Sequence, residues 1–183
     1  MTRSALTLCG CLLVAADARP CTIIVDEAHP RPTPATVVRD ADAVVVATAV
    51  RTITRADRSH GFPLLPPDAF DVDAFWNGTM EMRVDETIKG DAGRLALPVT
   101  GSLVDTDDFN RGPAPYPSAR PGAYAGACFA YEYRTGASYL LLLKRSRGGT
   151  LTPYWAALQP VNEQLRDGRD PWLLWAREQV AAK

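Results

Sequence analysis

The most apolar run of the chain lies at residues 138–144 and predicts a central β-strand. The run is short, and turn residues flank it at Thr135-Gly136 and Gly148-Gly149, which is typical of a strand. Alternation places Leu140 and Leu142 on one face, and Tyr139, Leu141 and Leu143 on the other. A strand that is apolar on both faces has to be covered on both sides, which suits a central strand or a barrel strand under a helix or loop. A segment of buried helix is the alternative that the pattern leaves open.

Four further segments have the patterns of strands. Residues 41–53 are rich in β-branched side chains, and residues 95–99 alternate, with Pro98 indicating an edge of the sheet. Residues 151–161 follow the Gly148-Gly149 hairpin, and their two prolines predict a short or bent strand. Residues 80–88 alternate strictly except at Glu86, so we predict a bulge near Asp85-Glu86. The inner face of that strand would carry Met80, Met82, Val84 and Ile88.

Two helices are predicted from their capping residues. Thr33 followed by Pro34 indicates a brief helix through Arg39, because threonine is a good N-cap and proline fits the first helical position. Asp170-Pro171 indicates a second helix at about residues 170–181. Its apolar side chains recur at helical spacing, which predicts docking on the sheet and leaves an exposed aromatic binding stripe as the alternative. These side chains are Trp172, Trp175, Ala176 and Val180.

The first eighteen residues have the pattern of a secretory signal peptide. Arg3 precedes an apolar stretch at residues 4–15, and Ala16-Asp17-Ala18 supplies small residues for cleavage between Ala18 and Arg19. The sequence therefore predicts export, to a periplasm or to the outside of the cell, and a single mature domain at residues 19–183. A lipoprotein is the less favoured alternative, because Leu8-Cys9-Gly10-Cys11 only weakly resembles a lipobox.

Removal of the signal peptide would leave two of the four cysteines, Cys21 and Cys128. Export brings a protein into an oxidising environment, so we predict a disulfide between them, with two buried thiols as the alternative. Closing so long a loop would stabilise the fold by about 4–5 kcal/mol in the chain-entropy model.

Composition argues against several classes of function. The net charge of -1 over 183 residues, with 20 basic and 21 acidic residues, leaves no basic stripe for nucleic acid or for a membrane surface. No membrane span is expected after removal of the signal peptide. We also expect no metal and no cofactor, since there are only two histidines, and no nucleotide-binding or metal-binding motif occurs.

No sequence motif indicates a catalytic site. A hydrolase site built from His60, an aspartate and either Ser118 or Ser138 is conceivable, but no spacing selects these residues. Asp107 and Asp108 are adjacent in a loop, so we expect both to be ionised and solvated rather than an acid–base pair.

Two long irregular segments are the predicted places of recognition. Residues 55–78 and 101–126 are rich in proline or aspartate, and loops on a rigid scaffold often carry binding residues. In the second segment, Tyr116 and Tyr124 are the predicted contact residues. Asn77-Gly78-Thr79 matches the glycosylation sequon, which has meaning only in a eukaryotic secretory pathway.

The predicted elements together indicate a mainly β fold, an OB-like Greek-key barrel. They are five strands, a short first helix, a second helix that covers the sheet, and an N-terminal arm held by the Cys21–Cys128 disulfide. Three segments also resemble the superfamily of netrin modules and tissue inhibitors of metalloproteinases. They are residues 41–50 (ADAVVVATAV), residues 82–90 (MRVDETIKG), and Cys128 followed by residues 136–142 (GASYLLL).

The resemblance implies the same barrel and, in the inhibitors, a mature chain whose first cysteine chelates the zinc of the target. Here Arg19-Pro20 precede Cys21, which departs from that pattern. We therefore favour an exported, non-enzymatic binding module. The alternatives are a metalloprotease inhibitor that acts through the N-terminal arm and the exported hydrolase.

Overall fold

The computed structural model describes residues 31–53, 78–93, 96–124, 128–154 and 156–182. Two α-helices occur in these residues, α1 (Pro34–Asp40) and α2 (Pro171–Ala181), together with a short 3-10 helix at Pro121–Tyr124. The strands are β1 (Ala43–Thr52), β2 (Thr79–Lys89), β3 (Ala96–Thr100), β4 (Ser102–Val104), β5 (Glu132–Arg134), β6 (Ser138–Arg145), β7 (Leu151–Pro153) and β8 (Asn162–Gln164).

Both helices begin where their caps predict. The Thr33 hydroxyl accepts a hydrogen bond from the Thr36 amide at 3.2 Å, and the Asp170 carboxylate accepts one from the Trp172 amide at 2.9 Å. Each cap satisfies an amide that the helix itself leaves without a partner, and proline follows each cap. The two predicted helix starts are therefore confirmed.

The main sheet has the strand order β3-β2-β1-β6-β7, and every neighbouring pair is antiparallel. The sheet curls until its end strands, β3 and β7, lie close to each other, which gives a nearly closed barrel. The predicted mainly β, OB-like barrel with two helices is confirmed. Strands β4 and β5 form a separate parallel pair that the sequence pattern did not predict.

Strand β6 is covered on both faces, as its two apolar faces require. Tyr139, Leu141 and Leu143 point into the barrel, whereas Leu140 and Leu142 pack outside it against the two helices. Burial of each leucine contributes about 1.5–3 kcal/mol, so this one strand links two separate cores. The inner core also contains Val45, Ala47, Met80, Met82, Leu97 and Val99, and the outer core Val37, Val38, Val161, Trp172, Leu173 and Ala176.

Strand β2 contains two bulges against β1. Val46 pairs with Glu86 and Ala47 pairs with Val84, so Asp85 is an extra residue and the predicted bulge is confirmed. A second register shift leaves Ile88 between the partners of Val44 and Val45. Ile88 consequently packs on the outer core, and its predicted place on the inner face is wrong.

The segment after the Gly148-Gly149 hairpin forms two strands instead of one. Strand β7 ends at Pro153, opposite Leu143, and β8 pairs Asn162 with Leu141 of the same strand, β6. The chain leaves the sheet between them. The strand predicted at residues 151–161 is confirmed only at its start, residues 151–153, because the next strand begins at Asn162, beyond the predicted range.

Four residues lie at one end of the barrel, beside the end of α1, and we call this group the motif end: Asp42, Lys89, Gly90 and Arg145. The ammonium of Lys89 donates to three carbonyl oxygens at the end of α1, those of Val38, Arg39 and Ala41, at 3.0, 2.5 and 2.6 Å. A cation at this position also complements the negative end of the helix dipole.

The motif end also includes Asp42, Gly90 and Arg145. Gly90 has φ +72°, and a Cβ there would lie 2.1 Å from the Asp42 carbonyl oxygen. The Asp42 carboxylate accepts a hydrogen bond from the Arg145 amide at 2.8 Å, and this bond holds the pKa of Asp42 below its usual value. Asp42 thus ties the start of β1 to the end of β6.

At the opposite end of β1, the chain leaves and re-enters the barrel at one place. Thr52 pairs with Met80, and the Ile53 amide donates to the Thr79 carbonyl oxygen at 2.8 Å. Ile53 and Thr79 therefore lie beside each other.

Candidate binding site

A buried arginine fixes the irregular segment between β4 and the 3-10 helix. The side chain of Arg120 has no exposed surface, and its guanidinium donates to the Asp108 carboxylate at 2.7 Å. It also donates to the carbonyl oxygens of Asn162 at 3.0 Å and Ala130 at 3.1 Å. One side chain therefore binds the loop, β8 and the segment before β5 to each other.

Aromatic rings line the remaining faces of this guanidinium. The carbon at its centre lies 5.0 Å from the centroid of the Tyr133 ring and 5.4 Å from that of Tyr139, within range of cation–π attraction. Burial raises the pKa of the Tyr139 hydroxyl to about 12. Both rings belong to the inner core, so the arginine is built into the packing of the barrel.

Glu163 completes what we call the arginine network, defined as Arg120, Asp108, Asn110, Asn162 and Glu163. Its carboxylate is fully buried, and it accepts hydrogen bonds from the Arg120 amide and the Asn110 side-chain amide, both at 3.0 Å. Burial raises the pKa of Glu163 to about 7, although these hydrogen bonds and the Arg120 charge oppose the shift. The network holds the loop in one position on the barrel, because each charged member would be costly to bury alone.

A groove with a volume of about 350 Å³ lies between the start of β6, the turn after β8 and helix α2. Its floor is apolar, whereas three arginines and two carboxylates stand around it. The floor residues are Val46, Phe109, Ala137, Leu165 and Leu173, and the charged residues are Arg134, Arg166, Arg177, Glu86 and Asp167.

Each arginine of the groove is held by a carboxylate or a carbonyl oxygen. Arg134 donates to Asp107 at 3.0 Å, and Arg177 donates to Glu86 at 2.6 Å. Arg166 donates to the Asn110 carbonyl oxygen at 2.7 Å, and its guanidinium lies 5.1 Å from the centroid of the Phe109 ring. The guanidinium groups are thus oriented before any ligand binds.

The loop that carries the arginine network also builds one wall of the groove. The Asp108 amide donates to the Gln164 side-chain oxygen at 2.7 Å, and the side-chain amide of Gln164 donates back to Asp107. Asp107 in turn holds Arg134, and Phe109 supports Arg166. The position of the two arginines therefore depends on the buried network behind them.

Comparison of the chain with protein-family models, curated proteins and solved structures gave a uniform result. None of the three finds a match. In the part of the chain that the structure describes, no helix is both long and apolar enough to cross a membrane.

The structure separates the two predicted contact tyrosines. Tyr124 is 44% exposed and stands beside Pro117 and Pro121 on a second concave surface. Tyr116 is only 1% exposed, stacks on Trp172 at 5.2 Å and donates to Asp170 at 3.4 Å. Its predicted role as a surface contact is wrong, because it is a core residue under α2.

Two further predictions can be compared with the described residues. The apolar face of α2 packs against the sheet, which confirms the docked helix. Asp108 is paired with a buried arginine and accepts from the Gly122 amide at 3.0 Å, so its expected solvation is wrong.

Several predicted residues lie outside the described residues. They are Ala18 and Arg19 at the cleavage point, Cys21, His60 and Asn77. Cys128 is described, has φ +61° and is half-buried beside Ala130 and Leu158. The Cys21–Cys128 disulfide and the hydrolase site therefore stay predictions.

The residues that build the groove were missed in the sequence because they come from six separate segments. Arg134, Arg166 and Arg177 each look like an ordinary solvated charge, and no spacing links them. The sequence shows Asn162-Glu163-Gln164 as a polar run between Val161 and Leu165, which is typical of an exposed segment. Only the structure shows that all three side chains are buried, and a buried polar run needs hydrogen-bond partners.

Proposed function

We propose that this chain is an exported, non-enzymatic binding module and that the groove beside α2 is its contact surface. The observation that carries the proposal is the groove itself, in which three pre-oriented guanidinium groups surround an apolar floor. Binding sites commonly combine an apolar concavity with a few fixed polar groups.

The rigidity of the surrounding structure supports the same proposal. The arginine network holds residues 107–110 against β8, and Phe109 of this segment lines the groove. A contact surface whose side chains are already ordered loses less conformational entropy on binding. A buried charge network behind an exposed groove has this effect, and it suits recognition.

Site-specific photo-crosslinking tests the proposal. A crosslinking residue at Gly168 would line the groove, and a side chain there has open space, since no atom lies within 4 Å of its Cβ position. The control position is Arg147, which is exposed and lies outside the groove. Both proteins are irradiated in the native extracytoplasmic fraction.

We expect an adduct at Gly168 that is absent at Arg147 and that excess unlabelled protein suppresses. Equal adducts at both positions, or none at Gly168, would contradict the groove as the contact surface.

Export has an independent test in the mature N-terminus. Sequencing of the secreted or periplasmic protein is expected to begin at Arg19. A start at Cys21 would instead favour the metalloprotease inhibitor, because it would free the cysteine amine. Mass spectrometry of the same unreduced sample is expected to show the Cys21 and Cys128 peptides linked.

A further inference from the structure

We propose that the groove binds an acidic peptide segment, which places a carboxylate on Arg134 or Arg166 and an apolar side chain on the floor. This inference rests on the proposed function and names the chemical class of the partner. The groove is at the small end of the volumes of ligand pockets, so it fits a short segment of a partner.

The first argument comes from the hydrogen-bond donors that remain. Within the described residues, only one terminal nitrogen of Arg134 has an acceptor, which is Asp107. The Nε of Arg166 likewise has none, since its bonds to Asn110, Tyr116 and Asp170 use the two terminal nitrogens. Guanidinium donors in fixed positions are well suited to carboxylate oxygens.

The second argument is the charge of the lining. Three arginines face two carboxylates, which leaves one positive charge in a protein whose net charge is -1. Each of the three arginines already pairs with one carboxylate. Arg177 pairs with Glu86 at 2.6 Å, Arg134 with Asp107 at 3.0 Å, and Arg166 with Asp170 at 3.4 Å. Asp107 and Asp170 do not line the groove, so the surface that a ligand would contact has more guanidinium groups than carboxylates. The donors that remain on that surface are matched by an anionic group.

The third argument is the floor. Leu165 and Leu173 are buried core residues that border the groove, and Val46 and Ala137 lie half-buried beside them. A small hydrophilic anion would leave this apolar surface uncovered. An acidic peptide offers both a carboxylate and an apolar side chain a few ångströms away, and it matches both parts of the groove.

A random peptide library tests this inference. Phage that display random twelve-residue peptides are selected on the full-length mature protein, and binders to a variant carrying Arg134→Gln and Arg166→Gln are subtracted. The matched control is Arg147→Gln, which removes an exposed arginine outside the groove. Circular dichroism verifies that each variant keeps its fold, and Arg134→Gln alone serves if the double variant unfolds.

We expect the enriched peptides to combine Asp or Glu with an apolar residue. Calorimetry on a synthetic copy is expected to show binding about tenfold weaker for each arginine removed, and unchanged binding for Arg147→Gln. Affinity should also fall as salt rises.

Two results would overturn the inference. Enriched peptides that are basic or neutral, or that bind the double variant equally well, exclude the acidic class. A library that yields no binder excludes a peptide ligand. If crosslinking at Gly168 still succeeds in either case, the proposed function stands and only the class of partner is wrong.

Discussion

Strand β6 has a polar cluster at each end. The motif end, with Asp42 and Lys89, lies at one end, and the arginine network, with Arg120 and Glu163, lies beside the other. At the motif end, the charged groups are half-buried or exposed and bind backbone atoms, such as the carbonyl oxygens of α1. In the arginine network, Arg120 and Glu163 are fully buried and Asp108 is half-buried, and these groups bind both backbone atoms and each other. The same kinds of side chain thus work in two very different dielectric surroundings.

This difference in burial predicts in which of the two regions the loss of a contact lowers the free energy of unfolding most. Water can replace a partner at the motif end, so a single substitution there removes little more than one set of hydrogen bonds. Water cannot reach Arg120 or Glu163, so removal of one charge from the network leaves a buried group without compensation. Four substitutions test this contrast, in order of decreasing expected effect.

Arg120→Leu is expected to lower the free energy of unfolding by about 3–5 kcal/mol. The substitution leaves Asp108 without its cation and removes one donor from each of three acceptors, which are the Asp108 carboxylate and the carbonyl oxygens of Asn162 and Ala130. Urea denaturation measures the change. The control is Arg177→Leu, which breaks an exposed pair with Glu86 and is expected to cost less than about 1 kcal/mol. Equal losses for the two variants would refute the contrast.

Glu163 is expected to make the protein less stable as the pH rises from about 4.5 to about 7. Its pKa is raised in the folded state, so the folded protein binds more protons than the unfolded chain in this window. The contribution of Glu163 is therefore complete below the unfolded pKa and lost above the folded one, on the order of 3 kcal/mol.

Comparison of the wild type with Glu163→Gln isolates this group, since all other titrating residues are shared. Denaturation curves at several pH values are expected to show a pH-dependent difference between the two proteins in that window. A constant difference at all pH values would mean that Glu163 does not titrate there.

Gly90→Ala is expected to destabilise the motif end by about 2 kcal/mol or more, because φ is +72° and the new Cβ would meet the Asp42 carbonyl oxygen. Gly136→Ala is the matched control: its φ is +75°, but no atom lies within 4 Å of the Cβ position. The control is expected to cost only about 1 kcal/mol. Thermal unfolding of the two variants separates the steric contact from the backbone strain.

Lys89→Met is expected to have the smallest effect, about 1–2 kcal/mol, since it removes the donor from the end of α1 but keeps the apolar stem. Hydrogen exchange of the α1 amides is expected to accelerate, while exchange in β6 stays slow. Uniform acceleration throughout the barrel would show that the motif end is as critical as the network.

The elements around the motif end could be predicted from the sequence, because their signals are local, whereas the contacts of Lys89 and Asp42 could not. Thr33-Pro34 marks the start of α1, and the break in alternation at Glu86 marks a bulge. The segments that resemble the netrin-module superfamily also contain Asp42, Lys89 and Gly90. Each of these residues has a structural task at the motif end.

The arginine network could not be predicted in the same way. Arg120 stands between Ala119 and Pro121 in an irregular segment, where an arginine is normally solvated. Its burial depends on Asp108 and on Asn162, which are far from it in sequence and reach it only through the barrel fold. Tyr116 was misplaced for the same reason, since only the docking of α2 brings Trp172 over its ring.

The hydrogen bond between Ile53 and Thr79 has a consequence for the modularity of the chain. Because Thr52 pairs with Met80 and Ile53 bonds to Thr79, a two-residue turn in place of residues 54–77 would join strands that are already paired. We therefore expect the barrel to accept insertions, deletions or a fused reporter at this point with little effect on its folding. This junction is also the natural place for a label that leaves the groove free.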